Sequence, residues 1–256
     1  MSRKIFAFLL LTGFAAAAVL AQTADELVEK NIQAQGGRKR LKSVQTIRLT
    51  GRIVRGSNDE LPIVTEWAPP GHKMRLDFTA DGKTNTRVFD GSNGWEVMPV
   101  KGKASPQKVT GAKLKDLQDE ADFYGKLSDY KAKGSEVEAL GKDELDGTPV
   151  YKLKLTKRDG SEITIYLDAG NFLKLKEEET RTERGEVTDW ETRYADYKTV
   201  EGLTQAFTIK VKSTQVTGGG MVRTEGSLTY SFDKLEVNVD IPASRFEWPK
   251  AETKKK

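Results

Sequence analysis

The stretch that decides the fold is residues 147–179, GTPVYKLKLTKRDGSEITIYLDAGNFLKLKEEE. Tyr151, Leu153 and Leu155 alternate with Lys152, Lys154 and Thr156, and Ile163, Ile165 and Leu167 alternate with Thr164 and Tyr166. A period of two sends successive side chains to opposite faces, so each run is a strand with one dry face and one wet face. Asp159-Gly160 between them carries hairpin chemistry, and strands joined by so short a turn are antiparallel.

The same pattern recurs outward in both directions. Ile47, Leu49, Gly51 and Ile53 alternate with Arg48, Thr50 and Arg52, and Met74, Leu76, Phe78 and Ala80 with Arg75, Asp77 and Thr79. Phe207, Ile209 and Val211 repeat it, as do Leu228, Tyr230 and Phe232. Asp81-Gly82, Asp90-Gly91, Asp146-Gly147 and Glu201-Gly202 supply further turns. The pattern predicts a mainly β fold of roughly ten or eleven antiparallel strands.

Two segments have helical spacing instead. Thr23 and Glu26 form a capping box before Leu27, Val28 and Ile32, and Gly36-Gly37 closes that helix, with a basic turn Arg38–Arg40 after it. Leu114, Leu117 and Ala121 recur at helical spacing within 113–124, and Leu127 and Tyr130 are expected to pack in the loop that follows.

The opening of the chain is a third kind of segment. Arg3 and Lys4 precede an apolar run from Ile5 to Leu20 that ends in Val19-Leu20-Ala21. This reads as a secretory signal peptide over residues 1–21, cut near Ala21, so the mature protein is expected to be exported. The organisation expected is this signal, one domain over residues 22–249, and a Lys-rich, solvated tail over 250–256. The formal charge of +4 sits at the ends. Without Arg3, Lys4, Lys250, Lys254, Lys255, Lys256 and Glu252, 36 basic and 37 acidic residues remain, so the body is near neutral and offers no nucleic-acid surface. There is no cysteine, which excludes disulfides, thiolate metal sites and a lipidated N-terminal Cys.

A wide sheet with one dry face must bury it. Two short helices leave two solutions: a packed core made by strong curling, or a cavity for an apolar ligand. Pattern alone leaves both open.

Three stretches carry a family resemblance: TADELVEKNIQAQGGRKRLKSVQTIRLTGRI near the start, VFDGSNGWEV at 88–97, and residues 147–179. Together they resemble the outer-membrane lipoprotein-sorting proteins, the LolA/LolB-like superfamily, over nearly the whole mature chain. The resemblance implies a strongly curved antiparallel sheet, an unclosed β-barrel, with a helical plug or lid. It implies a periplasmic carrier or binding protein for lipoprotein acyl chains or a similar amphiphile. An envelope membrane protein is a possible partner. A lipid- or stress-sensing module without transport, or a structural β domain of an envelope assembly, are the alternatives. In a hydrophobic cup the lining residues would be Ile47, Leu49, Ile53, Trp67, Leu76, Phe78, Trp95, Leu153, Leu155, Ile165 and Phe207. The lid residues would be Leu114, Leu117 and Ala121.

Catalysis is not expected. His72 is the only histidine, in the turn Pro69-Pro70-Gly71-His72, and no second His or Cys exists to build a metal or nucleophile site. No catalytic residue, metal or cofactor is therefore assigned. Glu177, Glu178 and Glu179 are expected on a solvated outer face. Gly218-Gly219-Gly220 lacks the Lys-Ser/Thr of a phosphate loop and reads as a hairpin tip. Arg38, Lys39 and Arg40 read as a solvated turn. Trp190 and Trp248 fit core or rim equally.

Overall fold

A computed structural model describes residues 22–56, 59–99, 105–183, 186–217 and 222–248. The expected signal segment, the Gly218–Gly220 tip and the Lys-rich tail lie outside the described residues.

Helix α1 (Ala24–Ala34) begins at the capping box: Thr23 Oγ1 accepts from the Glu26 N–H at 3.2 Å, and the Thr23 N–H donates to the Glu26 carboxylate at 3.0 Å. Its buried side is Leu27, Val28 and Ile32. Gly36 then turns the chain at φ 120°, where a Cβ would stand 2.3 Å from the Gly202 carbonyl oxygen. The chain does not stay a basic turn after this point. It restarts as a short helix α2 (Gly37–Lys42), whose Leu41 is buried. Arg38 is drawn onto Glu29 and Asp129, each at 2.9 Å, and Arg40 donates to the Glu201 carbonyl at 2.7 Å.

Among the described residues thirteen strands follow, rather than roughly ten or eleven. They are β1 (Ile47–Arg55), β2 (Asp59–Ala68), β3 (Lys73–Ala80), β4 (Lys83–Phe89), β5 (Gly94–Val97), β6 (Pro106–Val109), β7 (Glu136–Leu145), β8 (Thr148–Thr156), β9 (Glu162–Asp168), β10 (Lys174–Glu183), β11 (Glu186–Val200), β12 (Leu203–Thr217) and β13 (Val222–Val237). The surplus has a physical source. β6 has only four residues, too few to show a period. In β7 a register shift between Ala139 and Gly141 breaks the alternation. The turns follow their sequences: Asp81-Gly82, Asp146-Gly147 and Glu201-Gly202 are left-handed at both residues, the conformation of a type I′ hairpin.

All thirteen strands form one antiparallel, curved, unclosed sheet in the order β6-β5-β4-β3-β2-β1-β13-β12-β11-β10-β9-β8-β7. Every neighbour pair is consecutive in the chain except β1 with β13. Two meanders, β1–β6 and β7–β13, are therefore joined by that one long-range seam. The inner face carries the main core, from Ile47 and Ile63 across to Leu153, Ile165 and Phe207. A small second cluster, Val88, Trp95, Ile241 and Phe246, lies apart from it under the 3-10 turn Ala243–Phe246. His72 closes the 3-10 turn Pro69–Gly71 in the left-handed region, as a turn residue.

Candidate functional site

The sheet leaves a gap between its two free edges, β6 and β7, and the chain that connects those edges carries α3 (Ala112–Ala121). The helix turns Leu117 and Ala121 fully inward, with Leu114 packed beside them. Gly94 on β5 makes room for it: a Cβ there would meet Cδ1 of both Leu114 and Leu117 at 2.8 Å.

Polar contacts fasten α3 on both sides. Toward the first meander, Glu120 pairs with Arg87 at 3.3 Å, Lys113 with Glu96 at 3.7 Å, and the Trp67 indole N–H donates to the Glu120 carbonyl at 3.0 Å. Toward the second, Asp116 pairs with Arg181 at 2.7 Å and Asp119 with Lys157 at 2.8 Å, and Lys115 pairs with Asp159. Lys113, Lys115, Asp159 and Glu120 are exposed, so the pairs they make are worth about 1 kcal/mol or less, while Lys157 with Asp119 and Arg181 with Asp116 are half-buried. A cleft of ≈ 370 Å³ lies along this second side, lined by Asp116, Asp119, Asp159, Glu179 and Arg181. The helix is thus a crossbar, apolar below and held at its rim by polar pairs to both meanders.

Most of the expected lining residues come together. Ile47, Leu49, Ile53, Leu76, Leu153, Leu155, Ile165 and Phe207 are buried in the one inner cluster, and Trp67 and Phe78 pack against it partly exposed. The register explains the grouping: Ile47 faces Trp67, which faces Met74, and Gly51 faces Ile63, which faces Phe78.

Trp95 does not join them. It sits opposite Val88, one residue out of step with Phe89 and Gly94, and so belongs to the second cluster on the other face. With Phe246 it covers the outside of the sheet, and the Trp248 ring, half-exposed, meets it edge-on at 6.1 Å. Trp190 is about a third exposed, under the guanidinium of Arg181.

The larger departure is the acidic run. Glu178 does face outward, accepting from Tyr166 and Lys176 at 2.7 Å each. Glu177, however, is 6% exposed and points inward beside Ile165. It accepts from Lys174 at 2.6 Å, from Lys126 at 2.9 Å and from the Tyr194 hydroxyl at 3.2 Å. Glu179 lies on the same side, bound to Arg181 at 2.9 Å. The cause is a bulge: Leu167 faces Lys174 and Tyr166 faces Lys176, so one extra residue shifts the parity of everything after it. Without that bulge Lys176 would point in and Glu177 out.

Burial pushes the Glu177 carboxyl up, but the ammoniums of Lys126 and Lys174 outweigh it and hold it well below the usual carboxylate range. Burial likewise opposes the charge on Lys126, and Glu177 outweighs it, so the Lys126 pKa is raised. The Tyr194 hydroxyl is pushed well up by burial and by Glu177, so it stays protonated and donates. The parity of β9 was a usable signal for this inner polar group, but only a reader who knew of the bulge could have applied it.

Because α3 is anchored by Leu117, trimming that side chain should loosen the crossbar before the sheet. Leu117→Ala is expected to cost about 2–5 kcal/mol locally. Hydrogen exchange should speed up at residues 112–121 and stay unchanged in β8 and β9. Equal acceleration in both would show that α3 does not open independently.

No protein-family model and no curated protein matches the chain. Among solved structures it is similar to a LolA superfamily protein of Nitrosomonas europaea, 17% identical, with a TM-score of 0.53 over 89% of this chain and 98% of that one. It is also similar to a DUF1329 family protein of Desulfovibrio piger, 12% identical, with a TM-score of 0.51 over 88% of this chain and 97% of that one. The fold is LolA-like. Among the described residues no helix is long and apolar enough to cross a membrane.

Proposed function

We propose that this LolA-like chain is an exported, non-catalytic binding protein that holds the acyl chain of a lipoprotein or similar amphiphile on the inner face of its unclosed barrel, with α3 as the lid. The observation that carries the reading is the crossbar: an amphipathic helix is paired to both meanders and buries its apolar stripe on the inner face of the sheet. Its own stripe, Leu114, Leu117 and Ala121, occupies the place an acyl chain would take. Opening costs the rim pairs and that stripe. An acyl chain returns about 0.8 kcal/mol per buried CH₂, so a chain of ten or more carbons offsets an opening cost of several kcal/mol. Residues 22–249 act as one unit in this reading, since the inner face is assembled from both meanders.

The test uses delipidated mature protein titrated with a fluorescent fatty acid. Saturable binding is expected, tighter in Leu117→Ala, where the lid competes less. Absence of saturable binding in both proteins would end the carrier reading.

A further inference from the structure

The inner face is not uniformly apolar. Where β10 and β11 meet the loop after α3, Lys126 and Lys174 converge on the single carboxylate of Glu177. Among the described residues no other carboxylate lies within ion-pair distance of either ammonium. The group therefore carries one positive charge in excess. Each ammonium has three N–H donors, and Glu177 takes one from each. Lys174 also stands 4.1 Å over the Tyr194 ring, and the Tyr197 hydroxyl donates to the Lys174 carbonyl at 2.7 Å, which fixes the backbone there.

The place is partly open. The Lys126 and Lys174 side chains are 28% and 23% exposed, while that of Glu177 is 8% exposed. It also adjoins the apolar interior directly. Leu127, next to Lys126, is buried in the inner cluster, Glu177 neighbours Ile165, and Tyr194 neighbours Ile209.

We infer that Lys126 and Lys174 form a head-group site for an anionic amphiphile, a carboxylate or phosphate monoester whose chain lies on the adjoining apolar face. The inference rests on the acyl-binding reading above and narrows it. A neutral lipid would bind by its chain alone. An anionic one would also take the spare N–H donors and cancel the excess charge. Glu177 holds the two ammoniums apart and oriented, and the incoming anion completes a group of two cations and two anions. A charge-assisted hydrogen bond in such a place is worth roughly tenfold or more in affinity.

The test is displacement of N-phenyl-1-naphthylamine from the mature protein by decanoate, decyl phosphate and decanol, which share one chain length. Decanoate and decyl phosphate are expected to displace the dye at concentrations at least about tenfold lower than decanol. Lys174→Met and Lys126→Met should each remove most of that advantage while leaving decanol unchanged. Each variant keeps one ammonium on Glu177, so the carboxylate stays paired and the fold is retained, which a thermal melt checks. An advantage for decanoate alone assigns the site to carboxylates, and for decyl phosphate alone to phosphates. Equal displacement by all three, or an advantage that survives both lysine variants, overturns the head-group site and leaves the acyl-binding reading standing. No dye binding and no displacement removes both.

Discussion

Gly51→Ala should lower the thermal midpoint of the protein by roughly 6–12 °C, the shift that an overlap costing about 3 kcal/mol produces in a chain of this size. Gly51 sits on β1 at the register shift with β13. A Cβ there would stand 2.1 Å from the Ser231 carbonyl oxygen and 2.7 Å from the Phe232 Cα. Both atoms are backbone, so no side chain can swing aside and the strands themselves must separate. The location multiplies the effect, because β1 with β13 is the one pairing that joins the two meanders. A differential scanning measurement beside Thr50→Ala, a half-buried neighbour expected to change stability by less than about 1 kcal/mol, isolates the cause. A Gly51→Ala midpoint within a degree or two of the parent would mean that the seam is not built with this close approach.

Glu177→Ala is the second large effect. Among the described residues it leaves Lys126 and Lys174 with no carboxylate within ion-pair distance. Breaking a buried ion pair in this way costs about 3–5 kcal/mol, and the partial exposure of both lysines puts the expectation at the lower end. A shift in the urea midpoint checks it. The pH dependence follows with a definite sign. The Glu177 pKa is lower in the folded protein than its ordinary value of 4.5, so its stabilisation is fully present above about pH 5 and fades as the pH falls below that. Asp77, held down by Arg75 and Thr86 against the opposing effect of burial, adds in the same direction. Stability of the parent should therefore drop between about pH 5 and pH 3, and Glu177→Ala should drop less steeply over that range. Parallel pH profiles would place the acid-sensitive group elsewhere.

Much of the architecture was readable residue by residue. Thr23 and Glu26 marked the start of α1, the Asp-Gly pairs marked the hairpins, and the stripe Leu114, Leu117 and Ala121 marked α3. Those features depend on neighbours within a few positions. The four-residue strand β6 was not readable, since a period of two needs more length to show, whereas β5 was legible as the second arm of the hairpin at 88–97. The restart of the chain as α2 was hidden for a different reason. It depends on Gly36 passing against the Gly202 carbonyl, a contact between residues far apart in the chain.

The inner site divides in the same way. Leu153 and Ile165 were correctly expected on one face because they share a hairpin with no bulge. Trp95 was expected with them and lies outside, because its face is set by the pairing of β5 with β4. Glu177 was expected outside and lies within, because the bulge before Lys176 reverses the parity of β10.

By itself, then, the sequence determined that this chain alternates wet and dry along antiparallel strands, where most of its turns fall, and that a helix interrupts them. The tertiary structure decided the sign of that alternation, the β1–β13 seam and the position of α3 over the inner face, paired to both meanders. Alternation is a local property, whereas its sign comes from register with a partner strand. A single extra residue far along the chain is enough to reverse it. That reversal is what set the Glu177 carboxylate on the face where only apolar side chains were expected.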